Sequence, residues 1–396
     1  MSLIKYFPES LDIADKTIIV RLDLNVPLVN KKIQDQTRIL LAVPFLKSLI
    51  ERRAKIIILS HLGRPKGEVN NDLSLTPIYK FLKEKIKTNI YFFMGEIDNK
   101  TKIKSSYLKS GEILLIENIR FYKGESEDDE NFAKLLASLG EIYINDAFSC
   151  SHREQASIHK ITKFMKESYA GPLLKKEVEA INLVIKKKEK PVTCIIGGSK
   201  ISTKINVIYN LMKNVNNIII VGAMANNFLA YEGYKVGKSL VENDSKEIIN
   251  KIYSDAKKNN CEIIIPEDCN VALSFEGSSI SKNKNSINDE EIILDIGPET
   301  VKKIEKIIDN SNTVLWNGPA GYFENKNFAN GTNLIAKKIS ENTITKSLIS
   351  VLGGGDTVSA INKIDQTLSF THLSTAGGAF LEFLEGKDLP GIRVLK

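Results

Sequence analysis

The chain has 396 residues, 42% hydrophobic and 26% charged, with a formal net charge of +7. At roughly 100–200 residues per domain it should fold as two or three domains, and this balance excludes wholesale disorder. No apolar run approaches the ~18 residues of a membrane helix, residues 1–7 carry Lys5 and lack the apolar stretch of a secretory signal, and the four scattered cysteines (Cys150, Cys194, Cys261, Cys269) form no CxxC pair, so a zinc ribbon and a disulfide scaffold are unexpected and a reducing cytoplasm fits.

Short β-branched runs recur along the chain. Residues 17–20, 55–59, 113–116 and 142–144 read as buried strands, with a helix over 37–53 between the first two. Residues 193–196, 217–221, 262–265, 313–316 and 348–352 read the same way in the second half. Continuous apolar runs separated by amphipathic segments predict an α/β fold: two Rossmann-like domains, each a parallel sheet covered by helices on both faces. The boundary is expected near Gly171 and Pro172, with residues 172–190 forming a hinge helix that Pro191 stops. The polar stretches 125–130 and 278–288 read as solvated loops or helix starts.

Polar or glycine-rich clusters follow the strands, where parallel sheets bind ligands. The first half offers arginine, histidine and carboxamide; the second offers glycine, lysine and one aspartate. Only eight residues are arginine, and seven of them precede residue 154. Arginine supplies a planar fork matched to carboxylate and phosphate. Gly353-Gly354-Gly355-Asp356-Thr357, between a strand and a helix, reads as a phosphate site with a divalent cation bridging Asp356; the alternative is a tight turn with Asp356 as helix cap. A second glycine cluster, residues 374–379, precedes another helix. Lys200 and Lys204, four apart in GGSKISTK (197–204), are expected on one face of a helix start, where two cations suit a bound polyanion better than the helix dipole.

Other features carry less. Gly233 to Ser239 resembles a P-loop but has three residues between its glycines instead of four, so it reads as a loop. His152 and His159 lack partners at zinc spacing, and Cys150 does not read as a nucleophile. Cations, glycine amides and a metal-binding carboxylate suit phosphoryl transfer, where the protein positions reactants and neutralises charge. Each ligand would bind its own domain, and closure would bring the reacting oxygens into line.

Several blocks resemble the phosphoglycerate kinase family: RLDLNVP (21–27), SHLGRP (60–65), ENIRF (117–121), Asp146-Ala147-Phe148 with His152-Arg153, GGSKISTKI (197–205), GGGDT (353–357), THLST (371–375) and LEFLEGKDLPG (381–391). The resemblance implies reversible, magnesium-dependent phosphoryl transfer between ATP and the carboxylate of 3-phosphoglycerate, by a cytoplasmic monomer that engages neither nucleic acid nor membrane. It implies a 3-phosphoglycerate-binding domain over 1–171, completed by a tail from 378–396, and a nucleotide-binding domain over 172–377.

By the same resemblance Arg21, Asp23, Asn25, Arg38, His61, Leu62, Gly63, Arg64, Arg120 and Arg153 would hold the glycerate, with Arg393 near the hinge. Gly197, Gly198, Lys200, Lys204, Gly222, Asn317, Pro319, Glu324, Gly353, Gly354, Gly355, Asp356 and Thr357 would hold the nucleotide. Arg38, Lys200, Gly377 and Gly378 would serve the transfer, and Asp356 the Mg2+. The chain departs from the family pattern at Ser149 and Ala376, where glycine is usual, and at Phe380, where a small residue is usual. Rival readings are a phospholigand-binding protein without turnover, a nucleic-acid binder, and a kinase of another carboxylate.

Overall fold

The computed structural model describes residues 3–187, 189–364 and 367–396. By its internal contacts the chain divides into one unit running through Val178 and taking up Asp388–Lys396, and a second unit, Glu179–Lys387. Among the described residues no helix is long and apolar enough to cross a membrane.

The first unit holds strands β1 (Thr17–Arg21), β2 (Lys55–Leu59), β3 (Ile90–Phe93), β4 (Ile113–Ile116), β5 (Ile142–Asn145) and β6 (Glu167–Ala170). All pair in parallel, in the order β3-β4-β2-β1-β5-β6. Side chains alternate across a strand, and here both faces are covered. Ile18, Val20, Ile56, Ile58, Leu115 and Ile144 belong to one core cluster, while Ile19, Ile57, Leu59, Leu114 and Tyr143 belong to another. That is why these strands read as unbroken apolar runs. Each such side chain contributes roughly 1.5–3 kcal/mol when fully buried. Helix α1 (Thr37–Glu51) lays Ile39, Ala42, Phe45, Leu46 and Leu49 into the first cluster and carries Arg38 in its opening turn.

Helix α2 (Pro172–Asn182) follows β6 and continues into a π-helical turn, Leu183–Lys187. The division between units falls inside α2. Of the helix expected over 172–190, Lys188 lies outside the described residues, as do Met1 and Ser2 of the N-terminus.

The second unit holds β7 (Val192–Ile196), β8 (Asn217–Ile220), β9 (Glu262–Ile264), β10 (Asp268–Ala272), β11 (Ile280–Asn283), β12 (Ile292–Ile296), β13 (Thr313–Asn317), β14 (Ile349–Gly353) and β15 (His372–Ser374). Six of them form a parallel sheet in the order β9-β8-β7-β13-β14-β15, the doubly wound dinucleotide-binding order. Strands β11-β10-β12 make a separate antiparallel sheet. Helices α3 (Ile205–Leu211), α4 (Gly355–Ile364) and α5 (Gly378–Leu384) each begin shortly after a strand end.

Several expectations need correction. Strands β3, β6, β10, β12 and β15 were not anticipated: β3 buries only its two end residues, β6 (ESYA) and β15 (HLS) are short edge strands without an apolar run, and β10 (DCNVA) and β12 (IILDI) carry buried polar residues among their apolar ones. The stretch expected as loop over 278–288 contains β11, a polar edge strand whose backbone pairs with β10 while its side chains stay largely exposed. The stretch 125–130 is not uniformly solvated, because Glu125 is fully buried. The tail that joins the first unit begins at Asp388 rather than 378. Helix α5 buries Ala379, Phe380 and Leu384, and Leu384 O accepts a 2.7 Å bond from Asn210, which ties that helix to the second unit.

Candidate functional site

Each parallel sheet has a point where strand order reverses: between β1 and β5 in the first unit, and between β7 and β13 in the second. Loops leaving the two strands there part to opposite sides and open a crevice at their carboxyl ends. The anticipated residues gather at these two points.

In the first unit Arg21 ends β1 and is wholly buried. Its Nε donates to Ser157 Oγ at 2.9 Å, one terminal nitrogen donates to Leu22 O, and the other lies 3.2 Å from His61 Nδ1. Arginine has no acceptor, so Nδ1 of His61 must be the unprotonated nitrogen. Burial, then the charges of Arg21, Arg120, Arg38 and Arg153, push the His61 pKa well below its ordinary value. Four guanidinium groups thus surround one neutral imidazole, an arrangement that favours a multiply charged anion.

The rest of this site is a hydrogen-bonded frame. Asp23 Oδ2 meets Arg38 at 2.7 Å and accepts from Ser149 Oγ, and Asp23 Oδ1 accepts from Asn25 N at 3.0 Å. Asn25 O accepts from Arg38 at 3.0 Å, while Asn25 Oδ1 accepts from Gly63 N at 2.9 Å. Arg120 donates to Gly63 O at 2.8 Å and to Gln155 Oε1 at 3.3 Å, and its Nε has no partner among the described residues. Burial lowers its pKa to about 10. Leu62 is buried, with its carbonyl taking a 2.7 Å bond from Asn118. Arg153 is half-buried, donating to His152 Nε2 at 3.2 Å, and Arg64 is exposed. Arg393 pairs with Glu154 at 3.0 Å on the surface of the unit and does not enter this frame.

In the second unit the backbones of three strand ends meet. A Cβ at Gly197 would fall 2.2 Å from Pro319 O, and one at Gly222 would fall 3.0 Å from both Gly198 N and Pro319 O. Gly222 also has φ +67°, which disfavours other residues. Asn317, buried at the end of β13, is the hub. It donates to Gly353 O at 2.6 Å and accepts from Lys204 Nζ. Thr357 Oγ1 donates to Gly353 O at 2.9 Å and accepts from Gly318 N at 2.7 Å. Burial lowers the Lys204 pKa to about 8, opposed by the charge of Asp356. A cavity of about 390 Å³ is lined by Gly198, Gly222, Pro319, Glu324 and Asp356, with Leu240, Phe275, Leu294 and Tyr322 as apolar walls.

Asp356 is exposed in the opening turn of α4, and Gly354 and Gly355 precede it. Lys200 is exposed, and neither it nor Lys204 is helical: residues 202–204 form a turn, and α3 begins only at Ile205. The shared helix face expected for the two lysines is therefore absent, because Ile201 is drawn into the core and the chain turns before the helix starts. Gly377 caps the N-terminus of α5 at φ +57°, and Gly378 opens it. Phe380 is buried under the glycine loop, where a Cβ on Gly353 would come within 2.7 Å of its ring. Elsewhere Gly233–Ser239 is irregular apart from a bridge of Gly237 to Ile292, and His159 Nδ1 sits 2.7 Å from Asp128.

The comparison with family models decides the membership: the model described as Phosphoglycerate kinase matches residues 9–387. The chain belongs to the phosphoglycerate kinase family. It is 46% identical over 390 residues to the phosphoglycerate kinase of Wolbachia pipientis wMel, covering 98% of each chain. The structure of phosphoglycerate kinase from Coxiella burnetii superposes with a TM-score of 0.90 at 38% identity, covering 98% of this chain and 97% of that one. The Pyrococcus horikoshii OT3 enzyme gives a TM-score of 0.81 at 28% identity, covering 98% of both.

Residues outside the quoted motifs complete both crevices. Glu125 accepts from Ser157 N at 2.9 Å and Ser157 Oγ at 2.7 Å, and so anchors the serine that receives Arg21. Burial raises its pKa, against the pull of Arg21. Gln155 fixes Arg120. In the second unit's crevice the apolar walls come from β12, from the loop around Leu240, and from Phe275 and Tyr322. The run Ile292-Ile293-Leu294 was the one available signal for that wall.

Proposed function

We propose that this chain catalyses reversible phosphoryl transfer between ATP and the carboxylate of 3-phosphoglycerate, in the glycolytic and gluconeogenic direction alike. The convergence of four guanidinium groups on neutral His61 at one sheet's crevice, with a glycine cradle and Lys204 at the other's, carries the reading. In it the phosphoglycerate takes the arginine frame, with Asp23 and Asn25 accepting from and donating to the glycerate. The nucleotide phosphates take the Gly353–Thr357 mouth and Lys204, its base the apolar cavity, and Glu324 the ribose.

The residues at the second crevice fit Mg2+. Asp356 is one exposed carboxylate beside a helix N-terminus, and Mg2+ is commonly held by one or two carboxylates plus substrate phosphates. When bound, the ion would neutralise phosphate charge. The chain's own part is to bind, orient and exclude water, with closure of the two units bringing donor and acceptor into line. Arg38 and Lys200 reach the phosphoryl group in flight, Arg38 leaving Asp23 to do so. Gly377 and Gly378 offer amides to the same charge.

The test is magnesium-dependent ATP formation from ADP and 1,3-bisphosphoglycerate by the purified protein. Arg38→Ala and Lys200→Ala are each expected to lower kcat at least a hundredfold, with KM changed far less. A variant altered only in KM contradicts the assigned role.

Lys204 adds a pH dependence. With its pKa at about 8 in the free protein, the cation is present below pH 8 and lost above it. A bound polyanion raises that pKa, so nucleotide binding takes up a proton at alkaline pH. ADP affinity should weaken by up to ~tenfold from pH 7 to pH 9, about twofold of it by pH 8. Lys204→Met should bind weakly with no such slope, as measured by titration calorimetry. A wild-type profile as flat as the variant's rules this out.

A further inference from the structure

Asp23 is the carboxylate at the centre of the first unit's frame, and three donors hold it. Asn25 N takes Oδ1 at 3.0 Å, whereas Arg38 at 2.7 Å and the Ser149 hydroxyl both take Oδ2. These donors differ in how firmly they are tethered. Arg38 stands on a long side chain in the first turn of α1 and has a second acceptor in Asn25 O. Ser149 has one rotatable bond and sits in the 3-10 turn Phe148–Cys150, directly after β5 at the point where the sheet order reverses.

That turn is pinned from several sides. Ala147 N donates to Asn145 Oδ1 at 3.1 Å, Ser151 N to Phe148 O at 2.9 Å, and Gly391 N from the C-terminal tail to Ser151 O at 2.9 Å. A Cβ on Gly391 would come within 2.9 Å of the Ser151 backbone, so the tail lies flush on the turn. Ser149 therefore presents its hydroxyl from a rigid platform, while Arg38 can leave.

We propose that Ser149 is a positioning residue for phosphoglycerate: its hydroxyl keeps the Asp23 carboxylate in its binding orientation throughout, both while Arg38 holds Oδ2 and after it has moved to the reacting group. The inference rests on the reading of the first unit as the phosphoglycerate site. Without the hydroxyl, Oδ2 is left to the mobile Arg38 in the bound state and to no side chain once Arg38 has moved, so the carboxylate is free to rotate away from the acid at every stage. The loss falls on ground state and transition state alike, and so appears in KM.

Steady-state kinetics with 3-phosphoglycerate and ATP tests this. Ser149→Ala should raise KM for 3-phosphoglycerate on the order of tenfold, the weight of one hydrogen bond to a charged group, with kcat within about twofold and KM for ATP unchanged. Ser149→Thr, which keeps the hydroxyl at this half-buried position, should retain the wild-type KM. Ser149→Gly, which removes the hydroxyl and adds nothing, should reproduce the alanine result, and serves if the alanine variant folds poorly. An unchanged KM for 3-phosphoglycerate in both hydroxyl-free variants, or equal shifts for both substrates, overturns the inference. Wild-type protein that does not turn over 3-phosphoglycerate overturns the functional reading instead.

Discussion

Arg21→Met should destabilise the first unit by about 3–5 kcal/mol, the usual cost of stripping one partner from a buried charge pair. Arg21 is wholly buried and bonded to Ser157, which is bonded in turn to the fully buried Glu125. Methionine fills similar space but leaves the Glu125 carboxylate with only the weaker pull of Arg120. Burial already raises the Glu125 pKa and Arg21 restrains it, so the substitution raises it further. A carboxyl whose folded pKa lies above its unfolded value loses stability as pH rises from the unfolded pKa through the folded one. The variant should thus be weakest at pH 7–8 and recover as pH falls toward 5. Urea denaturation at both pH values measures this. Arg21→Met with Glu125→Gln should regain most of the loss at pH 7.5, because the amide still accepts from Ser157. A double variant no more stable than the single one would show that Arg21 supports the unit by packing alone.

The same pair explains where sequence reading stops. Both parallel sheets were legible because their central strands, such as 55–59 and 313–317, are buried on both faces and are apolar without interruption. Strands β3, β6, β11 and β15 were not, because an edge strand gains its place from backbone pairing that leaves little trace in side chains, and β10 and β12 were not, because buried Asp268, Asn270 and Asp295 interrupt their apolar pattern. Arg21, His61 and Arg120 stood out as rare residue types after strand ends, and Arg38 as one of only eight arginines. Glu125 did not, since in the run Glu125-Ser126-Glu127-Asp128-Asp129-Glu130 nothing local separates the buried acids, Glu125 and Asp128, from the others. The spacing of Lys200 and Lys204 misled for a related reason. A four-residue interval implies a shared face only inside a helix, and burial of Ile201 makes the chain turn first. Phe380 shows the reverse case, a departure visible in sequence whose meaning needed coordinates: its ring occupies the space beneath Gly353 that any side chain there would need.

Gly197→Ala should remove nucleotide binding, weakening ADP affinity at least a hundredfold, while leaving 3-phosphoglycerate affinity within about twofold. The argument is one of space. Gly197 is not among the residues with positive φ, so alanine is conformationally acceptable there. Yet its methyl would lie 2.2 Å from Pro319 O and 2.7 Å from Gly318 O, well inside contact distance, and both obstacles are backbone. No rotamer change relieves that, so the Gly318–Pro319 turn must retreat from the end of β7. It cannot retreat alone. Gly197 N donates to Asn317 O at 2.8 Å, and Gly318 N holds Thr357 Oγ1. Asn317 itself carries both Gly353 O and Lys204. A shift of this turn therefore pulls on the glycine loop and on the lysine together, at an overpacking cost of about 1–3 kcal/mol. Calorimetric titration of each ligand separately reads the split. The two crevices lie in different units, so a variant that loses both affinities equally would mean that the second unit has unfolded or that the assigned division of ligands is wrong; an unchanged melting transition of the variant, read by circular dichroism, tells the two apart. Gly198→Ala is the contrast. Its Cβ meets only the end of the Lys204 side chain at 3.7 Å, although φ is +136°, so its penalty is backbone strain without displacement of the turn, and a smaller loss of ADP affinity should follow.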